Sequence, residues 1–93
     1  MGDLKIFIVE DDDVYAEFLN YHLSLYTEYK VETFADGYSL LQNLFQNPSL
    51  VLLDYSLPDI GGIELLRKLK EYDSELPVVI VSGQEDINTA VNL

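Results

Sequence analysis

Residues 4–12, Leu4-Lys5-Ile6-Phe7-Ile8-Val9-Glu10-Asp11-Asp12, are apolar apart from Lys5 as far as Val9 and then turn wholly acidic. An unbroken apolar run has no polar face to offer water, so it reads as a strand covered on both sides, as the strands of parallel sheets are. Its abrupt end at three acids is how a buried strand reaches a functional loop.

Two further runs of this kind follow. Leu50 to Leu53 is fully apolar with Asp54 at its carboxyl end, and Val78 to Val81 opens after Pro77 and closes at Ser82-Gly83. Lys30 to Phe34 is a short, β-branched strand. Between the strands the spacing turns helical. From Asp13 to about Tyr26, Val14, Phe18, Tyr21 and Leu25 share one stripe, predicted to face the core, with Asp13, or else Asp12, placed to cap the helix. Asp36-Gly37 supplies a turn before a second helix, in which Leu40, Leu41, Leu44 and Phe45 share a face and which Pro48 ends. Pro58 and Gly61-Gly62 mark a loop before a third helix with Ile63, Leu66 and Leu69 at helical spacing and Arg67, Lys68 and Lys70 between them. Residues from Glu85 to Leu93 begin another helix. Strands alternating with helices through short connections predict right-handed crossovers, hence an α/β fold with a mostly parallel sheet and helices on both faces.

The whole chain narrows the function. Its 93 residues fit one domain, and 48% hydrophobic residues suffice for a core. A net charge of -12, from 17 acids and 5 bases, argues against direct binding to nucleic acid or to anionic membranes. Cysteine is absent, which excludes disulfides and thiolate metal sites and fits a reducing cytoplasm. No apolar run approaches the roughly 18 residues of a membrane span, and no signal-peptide pattern opens the chain.

In an open parallel sheet the ligand crevice lies beyond the carboxyl ends of the strands. Glu10, Asp11, Asp12, Asp54 and Ser82 all emerge there. Carboxylates brought so close repel one another unless a cation is shared, and a hard divalent ion such as magnesium takes oxygen ligands of this kind. Asp11 and Asp54 suit that role. Beside a metal, a strand-end aspartate can attack phosphorus, and Ser82 can hydrogen-bond a phosphoryl oxygen.

These features together, Val9-Glu10-Asp11 closing the first strand, Leu53-Asp54 closing the third with Pro58 and Gly62 after it, and Val81-Ser82-Gly83 closing the fourth, resemble a response-regulator receiver domain. The resemblance runs from Leu4 to Leu93. It implies a flavodoxin-like doubly wound sheet of strand order 2-1-3-4, with Asp54 as phosphoacceptor. It also implies that Asp11 binds Mg2+ directly with Glu10 assisting, that the Ser56 carbonyl is a further ligand, and that Ser82 is the switch residue. The phosphodonor would be a sensor histidine kinase, a histidine phosphotransfer protein or a small molecule such as acetyl phosphate. The domain would catalyse its own phosphorylation and dephosphorylation. Receivers carry a lysine after a fifth strand, and the sequence reaches only Leu93. The resemblance therefore implies a single domain over residues 1–93 that is incomplete at its carboxyl end, lacks the fifth strand and last helix, and is open to association with another copy.

Each feature also has a plainer reading. The acid triplet alone is a solvated turn that caps a helix. His22 has no second His or Cys with which to bind metal. The tyrosines and phenylalanines fill volume rather than bind bases or a flavin, and Gly61-Gly62 lacks the spacing of a phosphate-binding loop. Haloacid-dehalogenase-like enzymes also use a strand-end aspartate with magnesium, but they need an acid two residues later, where Ser56 stands. A pseudo-receiver, which keeps the fold as a docking surface without being phosphorylated, is the alternative reading that the sequence leaves open.

Overall fold

The apolar runs become strands where their composition demands it. The computed structural model describes residues 4–26, 28–54 and 57–81. It orders the chain as β1 (Lys5–Val9), α1 (Asp13–Tyr26), β2 (Lys30–Phe34), α2 (Gly37–Gln42), a 3-10 turn (Leu44–Gln46), β3 (Leu50–Asp54), α3 (Gly62–Tyr72) and β4 (Val78–Val81). The helix expected from Glu85 lies outside the described residues. The four strands form one parallel sheet in the order β2-β1-β3-β4. The chain thus leaves the middle of the sheet in both directions, and the order reverses between β1 and β3, where ligand crevices of such sheets lie.

Alternation along the strands divides the interior into two layers. Phe7 and Val9 of β1, with Val51 and Leu53 of β3, enter one core with Leu40, Leu44, Leu65 and Leu69 from α2, the 3-10 turn and α3. Phe7 meets Phe34 edge to face, with ring centroids 4.8 Å apart. Ile6 and Ile8 are equally buried but lie on the opposite side, the side of α1, where Ala16 is buried. Sequestering both faces of β1 is what its unbroken apolar run requires, since each apolar side chain removed from water contributes about 1.5–3 kcal/mol.

The helices turn differently from what spacing alone predicts. On α1 the stripe Val14, Phe18, Tyr21 and Leu25 is exposed, Val14 at 78%. The inward line is Ala16, with Leu19 and Leu23 partly buried. Apolar residues surround so much of this helix that two stripes compete, and the line with the small Ala16 permits the close approach to β1 and β2. On α3 the fully buried residues are Leu65 and Leu69, with Leu66 packed against them, whereas Ile63 is half exposed. Leu40 of α2 and Leu44 of the 3-10 turn are buried, but Phe45 is 74% exposed. The helix closes at Asn43 and rewinds as a tighter 3-10 turn, which swings Phe45 away from the face it would occupy on a continuous α-helix. Asn47 then takes a left-handed conformation, φ 58°, just before Pro48.

Candidate functional site

Strand register brings the acids together. Val9 lies opposite Leu53 and Asp54 opposite Val81, so β1, β3 and β4 end almost level. Glu10 follows Val9 directly, and its N–H donates to Phe34 O at 2.9 Å, which fixes the β1 exit against the end of β2. The Glu10, Asp11 and Asp54 carboxylates each place one oxygen within 4.8 Å of the others. Glu10 and Asp54 are buried, at 6% and 9% exposure, and Asp11 is exposed. The sequence-predicted convergence of these three residues is therefore present.

Asp12 does not join them. Its Oδ1 accepts from the N–H groups of Val14 at 3.0 Å and Tyr15 at 3.3 Å, so Asp12, rather than Asp13, caps α1. A capping side chain must sit just before the first helical residue to reach these donors, and Asp13 is already the first residue of the helix. Ser56 and Ser82 lie outside the described residues, Ser82 directly after Val81 at the end of β4. His22 lies on the exposed side of α1, with Nδ1 3.0 Å from Phe18 O and its ring against Phe18, remote from the acids.

The electrostatics follow from burial. Removal from water pushes the Glu10 carboxyl up to about 7, opposed by the Asp12 N–H that donates to Oε2 at 3.1 Å and reinforced by the neighbouring Asp54 and Asp11 carboxylates. Glu10, crowded by the other two carboxylates, therefore holds its negative charge poorly by itself. A hard divalent cation relieves that repulsion, and an all-oxygen donor set of carboxylates is what magnesium or calcium takes. The residues present fit such an ion.

A fourth acid shapes the surroundings. Asp59, in the connection between β3 and α3, accepts from the N–H groups of Gly37 and Tyr38, both at 3.0 Å. Desolvation is the largest single influence and pushes its carboxyl up, but the backbone N–H groups of Tyr38, Gly37, Asp59 itself and Ile60 together outweigh it and hold Asp59 below the usual carboxylate range. No local sequence pattern announces this contact, because its partners lie more than twenty residues upstream.

Comparison with known proteins accords with this geometry. The family described as "Response regulator receiver domain" matches residues 6–93. The CpxR homologue of Haemophilus influenzae, a transcriptional regulatory protein, is 36% identical over 90 residues, which is 96% of this chain and 39% of that protein. The response regulator MprA of Mycobacterium sp. (strain KMS) is 30% identical over 89 residues, 95% of this chain and 38% of that protein. The chain thus spans about two-fifths of the length of these relatives. Among solved structures, the response regulator TrrA of Thermotoga maritima, crystallised in complex with Mg(2+)-BeF, superposes with a TM-score of 0.83 at 23% identity over 92% of this chain and 75% of its own. Among the described residues, no helix is long and apolar enough to cross a membrane. With the parallel 2-1-3-4 sheet, the three converging carboxylates and a family match that spans nearly the whole sequence, this chain belongs to the response regulator receiver domains of two-component signalling.

Proposed function

We propose that the 93 residues act as one phosphoacceptor domain, in which Asp54 receives a phosphoryl group in a Mg2+-dependent transfer and thereby controls a downstream output. The observation that carries this reading is a buried strand-end aspartate with the Glu10 and Asp11 carboxylates within 4.8 Å of it. Glu10, Asp11 and Asp54 would hold the ion, joined by the Ser56 carbonyl. The Mg2+–beryllofluoride complex of the Thermotoga relative supports the choice of metal. When bound, magnesium supplies neutralisation of charge on the phosphoryl oxygens.

The protein's own groups account for the rest. An Asp54 carboxylate oxygen attacks phosphorus, the bond from phosphorus to the donor breaks, and an acyl phosphate forms on Asp54. With a phosphohistidine donor, the leaving imidazole keeps the electron pair and takes up a proton; with acetyl phosphate, acetate leaves. Burial of Asp54 keeps its nucleophilic oxygen at the strand end and limits the water that would compete for phosphorus. Ser82 would donate a hydrogen bond to a phosphoryl oxygen and carry the switch. A sensor histidine kinase or histidine phosphotransfer protein is the expected donor, and the cytoplasm the expected compartment.

The full-length protein, incubated with Mg2+ and acetyl phosphate, should gain a base-labile adduct detected by intact mass, and Asp54→Asn should gain none. An adduct that persists in Asp54→Asn would place the chemistry elsewhere. No response of the unsubstituted protein to acetyl phosphate or beryllofluoride would favour a pseudo-receiver that works as an interaction module only.

A further inference from the structure

We infer that Asp59 is a positioning residue for the phosphoacceptor pocket, because its side chain ties the connection that follows Asp54 to the start of α2. This deepens the phosphoacceptor reading and rests on it. The links can be followed residue by residue. Glu10 N–H is fixed to Phe34 O, the last residue of β2. Three residues later the chain reaches Gly37, whose N–H, with that of Tyr38, donates to Asp59. Asp59 stands five residues beyond Asp54, and Asp54 returns to Glu10 through the pairing of Leu53 with Val9. Removing Asp59 takes away the hydrogen bonds that join this circuit at Gly37 and Tyr38.

A plain helix cap is the competing explanation, and two observations count against it. First, α2 has its own cap: Asp36 Oδ1 accepts from Ser39 N–H at 2.8 Å. Asp59 is an additional acceptor brought from a distant loop, and it takes the N–H groups that Asp36 leaves. Second, the two segments are fitted to each other independently of the hydrogen bonds. A Cβ on Gly37 would overlap Ile60 Cγ2 and stand 3.2 Å from Leu65 Cδ2, and Ile60 itself is buried in the core. Glycine at position 37 is thus needed for close approach of the loop rather than for an unusual backbone angle. Adjacent residues, Asp59 and Ile60, grip the same turn, one by hydrogen bonds and one by packing. Leu57, two residues before Asp59, also packs on the core. Asp54 closes β3 and Asp59 stands in the connection that follows it, so the grip on Gly37 and Tyr38 anchors the chain segment that leaves the phosphoacceptor.

The test uses the full-length protein and three variants, Asp59→Ala, Asp59→Asn and Gly37→Ala. Mg2+ binding is read by calorimetry, acyl phosphate formation from acetyl phosphate at saturating Mg2+ by its rate, and folding by thermal unfolding. Asp59→Ala should weaken Mg2+ binding by about tenfold, the scale on which loss of groups supporting metal ligands acts, and should slow phosphorylation even at saturating Mg2+. Asp59→Asn keeps one carbonyl acceptor and should fall between Ala and the unsubstituted protein. Gly37→Ala, which displaces the loop from the other side, should lower both readouts while leaving Asp59 in the chain. A folded Asp59→Ala with unchanged Mg2+ affinity and rate overturns the inference. So does an Asn variant as impaired as Ala, which would make loss of negative charge the cause. Should Asp59→Ala not fold, unchanged readouts in Gly37→Ala and Asp59→Asn overturn it equally. If the unsubstituted protein neither binds Mg2+ nor forms an adduct, the phosphoacceptor reading itself fails and this inference falls with it.

Discussion

Glu10 is buried among acids, with its carboxyl pushed up to about 7, and this gives the metal-free protein a characteristic response to pH. A carboxyl raised from 4.5 in this way binds its proton more tightly in the folded state. Its contribution to stability is fully present below about 4.5, the unfolded value, and is lost as pH rises through about 7. With the metal chelated, raising the pH from about 5 to 8 should therefore cost stability on the order of 1–3 kcal/mol through this residue. Glu10→Gln should flatten that part of the slope, as followed by urea unfolding across pH, and an unaltered slope would contradict the assignment. Asp59 works in the opposite sense: its lowered carboxyl contributes stability above its unfolded value, lost as pH falls through the folded one. The same residue scale shows where sequence reading ends. Asp11, Asp12 and Asp13 are chemically alike and adjacent, yet one faces the pocket, one caps α1 and one opens the helix.

At the scale of elements, the strands were legible and the rotations of the helices were not. A strand buried on both faces needs apolar residues at every position, so its sequence has one reading; this is why β1 and β3 stand where their composition says. Helix α3 has a narrower choice. Ile63 and Leu65 are both apolar near its start, and only packing makes Leu65 the core residue. Leu65→Ala should cost about 2–5 kcal/mol, while Ile63→Ala, at an exposed helical position, should stay within about 0.5 kcal/mol. Denaturant midpoints of the two variants check this, and equal losses would mean that α3 is turned the other way. The exposed end of α3 behaves as its charges suggest, with Arg67 paired to Glu64 at 2.8 Å and to Glu71 at 2.9 Å along one open face. Pairs of this kind add only a few tenths of a kcal/mol each.

For the whole molecule the net charge of -12 and the pocket act together. A divalent cation that binds only the folded state stabilises it by mass action, by about 2.7 kcal/mol at a hundred times the dissociation constant. Mg2+ should therefore raise the unfolding temperature well beyond what the same ionic strength of NaCl achieves. Asp11→Asn should abolish most of that difference, because it removes a pocket carboxylate without touching the buried acids. An equal Mg2+ shift in Asp11→Asn and the unsubstituted protein would remove Asp11 from the ligand set.

The sequence by itself determined the α/β class, the run of strands and the arrival of Glu10 and Asp54 at one end of the sheet, because burial on both faces leaves β1 and β3 no polar position until they end. Tertiary structure alone decided which side of α1 meets the sheet, which aspartate caps it, and that Asp59 reaches Gly37 and Tyr38. Those outcomes depend on contacts between segments distant in the chain, where several local arrangements are nearly equal and packing selects one.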